Sequence, residues 1–450
     1  MAKQSSPPRQ QSVEDFSACT STSNGSRRVS KKRETTFREW AVNNQIGVSL
    51  TILLTLFAAH NLYPTVRSFT TPFFQLSYYQ PETGLYSTGW DDAYYVFSTI
   101  LALTAIRAMF IDWIFRPLAR KAGLKKKASM RFAEQAWLFV YDLSVWSFGM
   151  YLWKNSNYWG DFKAIWYDWP KRELGMAKKW YILTQLSFWF QQIFVINIEA
   201  PRKDHYQMLT HHLITSTLVA SAYIYRFYNV SNVVLCLMDV VDFLLPTAKI
   251  FKYFGYENLC NAAFVVFLIT WLVARQILFP MLCWSIYKNV PDVMAYGCYS
   301  GTTAEMLTTD GYPDRFAHLF APYFNIDGPI CMNRTVKWIF LSFLLSLLVL
   351  NLLWFVMIVK IAIGFIRSGS TEDSRSDGED EEEDEESETE ARLRSKESSP
   401  VVSADGTGSD HAAPRLSQTG SVRSRRGVLG DQADRKALLG RIGCEKPTNQ

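Results

Sequence analysis

Eight apolar runs, each approaching the roughly 20 residues that a bilayer-spanning helix requires, divide this 450-residue chain and leave it few possible folds. They fall near Ile46–Tyr63, Tyr94–Phe115, Trp137–Trp153, Trp180–Ile198, Met208–Tyr225, Val230–Ile250, Ala262–Trp284 and Trp338–Ile366. Within hydrocarbon every backbone polar group needs a partner from the chain itself, so runs of this length read as helices. The expectation is an all-α, polytopic membrane protein with about eight transmembrane helices. A mean hydropathy of −0.04 conceals this, because polar tails offset the apolar runs. Trp and Tyr gather at the ends of the runs, where interfacial belts form.

The charges orient the chain. Counted from a cytosolic N-terminus, Arg116–Gln135, Glu199–Tyr206 and Phe251–Asn261 face the cytosol, and the first two are rich in Lys and Arg. That is the positive-inside bias, and an even number of spans returns the C-terminus to the cytosol as well. Residues 1–38 lack apolar periodicity and read as a disordered tail, with no signal-peptide core behind the initiator methionine. Residues 39–130 hold the first two spans and a basic loop, 131–367 the remaining spans, and 368–450 an acidic, Ser-rich tail. Ser30 follows a basic pair, and Ser374, Ser376 and Ser387 each precede an acid by three residues, so all four are candidate phosphosites. The alternatives are a lipid-anchoring basic patch and a solubilising acidic tail. Cys298 and Cys331 share the long non-cytosolic loop Tyr287–Lys337, where they are either a disulfide or two unrelated thiols.

The stretch from Arg202 to Lys249 carries the chemistry. An Asp at the centre of a membrane helix costs about 2.5–3.5 kcal/mol on insertion scales, yet this stretch holds His211, His212, Asp239 and Asp242. Ionisable groups at that depth face a protein interior or a wet cavity. Met208–Tyr225 and Val230–Ile250 form a helical hairpin about the turn Arg226–Asn229. His212 precedes the turn centre, and Asp242 follows it, by about 15 residues, a rise of about 22 Å in each arm. The two therefore stand level, with Asp239 one turn away on the face of Asp242. The adjacent histidines point about 100° apart, so one can face a cavity while the other lines its wall or orients a carboxylate. Asp204 is either a helix N-cap or part of the site. Lys249 either pairs with Asp242 or reaches back to the interface. Only six histidines exist, too few for the repeated clusters of a di-iron membrane enzyme, so no metal is expected.

From about Arg131 to Arg367 the chain resembles the TLC-domain ceramide synthases, the longevity-assurance family, in a fungal form. The residues that carry this are Pro201-Arg202-Lys203-Asp204, His211-His212, Ser221-Ala-Tyr223, Met238-Asp239-Val-Val-Asp242-Phe243, Lys249 and Arg275. The resemblance implies a six-helix barrel-like core enclosing a substrate cavity. It implies an endoplasmic-reticulum N-acyltransferase that joins an acyl group from acyl-CoA to sphinganine or phytosphingosine, with acyl-CoA as co-substrate and no cofactor. His211, His212, Asp239 and Asp242 become the catalytic set, and Arg202, Lys203, Tyr223, Lys249 and Arg275 candidate substrate contacts. Implied partners are membrane lipid, a related synthase in a homo- or heterodimer and a small single-span regulatory subunit, with no nucleic acid. In the family, chain-length preference has been linked to the luminal loop between the last two spans.

The residues suit the reaction. Amide formation needs a neutral amine, and an imidazole titrating near neutrality can take its proton. Alternatively a histidine attacks the thioester and passes the acyl group on. Competing readings are a non-catalytic TLC-type protein (translocon-associated or lipid-sensing) and a transporter, for which no internal repeat speaks.

Overall fold

The protein is described by a computed structural model covering residues 37–167, 169–198, 204–308 and 316–368. Arg202, Lys203, Ser30, Ser374, Ser376 and Ser387 lie outside the described residues. All described residues belong to one compact unit, Met1–Glu383.

Thirteen α-helices dominate the described residues: α1 (Phe37–Leu62), α2 (Arg67–Phe74), α3 (Asp92–Met109), α4 (Arg116–Lys121), α5 (Lys126–Lys154), α6 (Met176–Ile198), α7 (His205–Ile224), α8 (Tyr228–Asp242), α9 (Leu244–Tyr253), α10 (Glu257–Trp271), α11 (Phe279–Val293), α12 (Ala317–Phe324) and α13 (Arg334–Ser368). π-helical turns at Phe110–Phe115 and Leu272–Leu278 join α3 to α4 and α10 to α11. All eight apolar runs are helical. Among the described residues, four segments are long and apolar enough to cross a membrane: Trp40–Leu62, Asp92–Lys121, Glu257–Val293 and Arg334–Gly364.

The run Val230–Ile250 is not one helix, as its composition suggests. It breaks at Phe243 into α8 and α9. Pro246 is the cause, since its ring clashes with the carbonyl four residues earlier. The preceding turn is also tighter than expected, only Tyr225–Phe227, with Arg226 at φ 64°.

Side chains are distributed as a lipid solvent demands. Leu54, Phe57, Val266, Ile269, Val349 and Val356 are exposed, while Gln185, Gln191, Asn232 and Asp239 are buried. In water exposed apolar side chains would be costly; in hydrocarbon the polar groups must turn inward. α5 packs on α8 and α9, α6 on α3 and α7, and α13 on α7 and α11. The α5–α8 contact is close because of Gly149. A Cβ there would lie 2.5 Å from Tyr181 Oη and 2.9 Å from Cys236 Sγ. We expect Gly149→Ala to lower stability by about 1 kcal/mol or more, overpacking outweighing the helix-propensity gain. Thermal melting in detergent measures it.

The expectation of an all-α chain needs one correction. The connecting loops hold short strands: β1 (Tyr79–Gln80) pairs with β2 (Leu85–Tyr86), and β3 (Gly297–Tyr299) lies between β4 (Met306–Thr308) and β5 (Ile330–Met332). These loops need not fill a bilayer, so strand pairing serves their backbone as well as a helix would. Cys298 stands opposite Cys331 in the β3–β5 register, and the two are bonded as a disulfide. Asn333, in a glycosylation sequon, is buried; its Oδ1 accepts from Val336 N at 2.7 Å, and its Nδ2 meets His318 Nε2 at 2.6 Å.

Candidate active site

α6 is the strut that joins the two halves of the site. Gln185 and Trp189 stand one turn apart on one face of it, about 6 Å along the axis. Gln185 Nε2 donates to Asp239 Oδ2 at 2.5 Å. Trp189 packs on both histidines, with ring centroids 5.6 Å from His211 and 5.3 Å from His212. The imidazoles of α7 and the first carboxylate of α8 are thus brought to about the same height. His211 is buried between Trp189 and Trp354, the latter 5.2 Å away on α13. His212 is buried too, its ring 5.5 Å from that of His211.

Asp242 Oδ1 accepts from Arg275 Nη2 at 2.7 Å, an ion pair that its spacing did not suggest. The π turn presents this arginine: one residue extra per turn swings it inward, and such turns recur at functional sites. Arg275 also donates to Met238 O at 2.7 Å and to Asn351 Oδ1 at 3.3 Å, and its guanidinium lies 4.3 Å over the Trp271 ring. Lys249 is half-buried on α9. Asp204 holds the N-cap position of α7 without a side-chain capping bond.

The Nδ1 atoms of His211 and His212 are buried without a hydrogen-bond partner, while Asp239 and Asp242 are engaged by Gln185 and Arg275. His211 lies within electrostatic reach of Arg275. Asp142, buried on α5, lies within electrostatic reach of Asp239 and Asp242, a third carboxylate that sequence reasoning passed over. Its signal was the one used for the other two, a carboxylate inside an apolar run. Tyr223 stands about 16 Å along α7 from His212; its hydroxyl donates to Asp92 Oδ2 at 2.7 Å, in a network with Lys179.

His211 also borders a cavity of about 60 Å³ between α7, α8, α11 and α13. Its walls include Leu218, Val234, Met238, Leu344 and Leu347, and even Thr215, Ser231 and Lys337 present carbon to it. The Lys337 ammonium rests instead over the rings of Tyr287 and Trp338, at 5.4 and 5.7 Å. A pocket lined in this way suits an apolar group.

Residues 131–360 match the family described as the TLC domain. The chain belongs to that family. It is 42% identical to the sphingosine N-acyltransferase-like protein ALT7 of Alternaria alternata, over 76% of this chain and 77% of that one. It is 35% identical to the ceramide synthase FUM18 of Gibberella moniliformis, over 83% and 85%. Against the sphingosine N-acyltransferase lag1 of Schizosaccharomyces pombe the identity is 33%, over 74% and 79%. The matched residues run from within α5 to within α13 and include His211, His212, Asp239, Asp242 and Arg275.

Proposed function

We propose that this TLC-domain protein is a ceramide synthase, transferring a fatty acyl group from acyl-CoA to the amine of a sphingoid base. The relatives named sphingosine N-acyltransferase and ceramide synthase support the activity. The observation that carries the site assignment is His211 on the wall of an apolar cavity, joined through Trp189 and Gln185 of α6 to the buried Asp239. In this reading the acyl chain occupies the cavity with its thioester at His211. Asp239 and Asp242 attract the incoming ammonium, and an imidazole takes its proton. The amine then attacks the carbonyl, a C–N bond forms and the C–S bond breaks; of the two protons the nitrogen gives up, one goes to the departing thiolate and the other leaves through the imidazole to solvent. In a two-step variant, His211 or His212 carries the acyl group between thioester and amine. Arg275 holds Asp242 in place. Arg202, Lys203 and the basic loop after Arg116 take the coenzyme A phosphates from the cytosol.

The same reading has all eight helical runs crossing the endoplasmic-reticulum membrane around a barrel-like core, both termini cytosolic. It adds a dimer and a single-span regulatory subunit as partners. Membranes from cells expressing the chain, given a sphingoid base and acyl-CoA, should form an N-acylated product that requires the CoA ester. With Asp242→Ala, product should fall at least about tenfold at equal protein level, since a hydrogen-bonded charge is lost from the site. Normal turnover by that variant would refute the assignment.

A further inference from the structure

A second cavity, of about 200 Å³, adjoins the first. The two share three wall residues: Trp166, Phe227 and Val230. Their characters are opposite. The first is walled in carbon; the second is bordered by Lys171, Glu173, Lys178, Arg226 and Asn229. Arg226 is buried there, donating to the carbonyls of Pro170, Gly301 and Ile326, and its Nε has no partner. Burial pulls its pKa down to about 10.

The partition between them is firmly held. Trp166 and Phe227 meet edge to face, with ring centroids 6.5 Å apart. The Trp166 Nε1 donates to Ser285 Oγ at 3.1 Å, and that hydroxyl in turn donates to Phe162 O at 2.8 Å. Phe227 is stacked on Trp169 at 5.9 Å and meets Phe340 edge-on at 4.9 Å. It follows the positive-φ Arg226 in the tightest part of the α7–α8 turn, so its backbone has little freedom to withdraw.

We propose that the Trp166–Phe227 pair is the length gauge of the acyl site, closing it at the methyl end of the chain. The inference rests on the reading that the apolar cavity takes the acyl chain. A chain anchored at His211 has about 16 Å of α7 beside it, from His211 to Ala222, before it nears this partition. Longer chains must displace two locked rings and then bury methylenes among ammonium, guanidinium and carboxylate groups. Both steps oppose entry, so the limit is sharp. Neither gauge residue lies in the loop Tyr287–Lys337 that the family resemblance associates with chain length.

The test uses the full-length protein in membranes with a ladder of saturated acyl-CoAs competing for one sphingoid base. Phe227→Ala, Phe227→Leu and Trp166→Phe open the partition by different amounts. Each should raise the ratio of longer to wild-type-length products, by about tenfold for Phe227→Ala. An unchanged length profile in any variant that still turns over would overturn the gauge. Should Phe227→Ala fail to accumulate, the two milder variants carry the same comparison. Retention of graded-length fatty acids by purified protein gives a readout independent of turnover, in which the variants should hold longer acids than wild type. Wild-type membranes that form no amide would sink the functional reading, and the retention series would still decide the gauge.

Discussion

Replacing His211 by Phe is expected to cut N-acyl product formation by about 10²–10⁴-fold, the usual worth of a positioned general base, while the protein accumulates normally. The size of the effect and its selectivity have separate causes. The Phe ring can keep the edge contacts with Trp189 and Trp354. Aromatic contacts of that kind contribute about 0.5–1.5 kcal/mol each. The Nδ1 of His211 bonds nothing, so losing it strands no buried partner. What disappears is the capacity to take a proton at the end of the acyl cavity. Product measured by mass spectrometry, normalised to protein, decides the matter; activity within a few-fold of wild type would remove His211 from the chemistry. His212→Phe is a separate test, because that ring touches Trp189 but does not border the cavity.

Lys179→Met is expected to be the most destabilising of these substitutions, by about 3–5 kcal/mol, the cost of breaking a buried ion pair from one side. The Lys179 side chain is fully buried, and its ammonium meets Asp92 Oδ1 at 2.7 Å and donates to Ser87 O at 2.7 Å and Ser77 O at 2.9 Å. Its three donors are thereby all used. Asp92 also accepts from Tyr223 Oη at 2.7 Å and from Gly89 N at 3.1 Å, so the pair ties α3, α6 and α7 together at their shared end. Removing the ammonium leaves a buried carboxylate and two carbonyls. Adding Asp92→Asn should restore part of the loss, because the orphaned charge goes with it. Melting in detergent of the single and double variants checks this; a Lys179→Met protein that melts like wild type would show the pair to be dispensable.

Much of this architecture was legible because a bilayer punishes exceptions. Each apolar run is helical, Val230–Ile250 in two pieces, and His211, His212, Asp239 and Asp242 stood out because carboxylates and imidazoles are costly at that depth. Partner choice was not legible. Arg275 reaches Asp242 only because a π turn adds a residue to the coil, and nothing in its neighbours' composition announces that. Gln185 was hidden for a different reason: periodicity cannot say which helix face meets the site until its neighbours are placed. The break at Phe243 did have a signal, Pro246, but within so apolar a run the hydrophobicity outweighed it. Strand pairing around Cys298 and Cys331 rests on contacts across 33 residues of loop, too distant for local patterning to reveal.

Pro246 has one more consequence. Having no N–H, it cannot supply the main-chain donor that the carbonyl oxygen of Asp242 would receive in an unbroken helix. The residue that carries the carboxylate nearest Arg275 thus also offers a peptide oxygen that its own helix leaves unclaimed. A protonated amine arriving there meets a side-chain anion and a backbone dipole on a single residue. Restoring the coil with Pro246→Ala would silence the second acceptor and leave the first untouched.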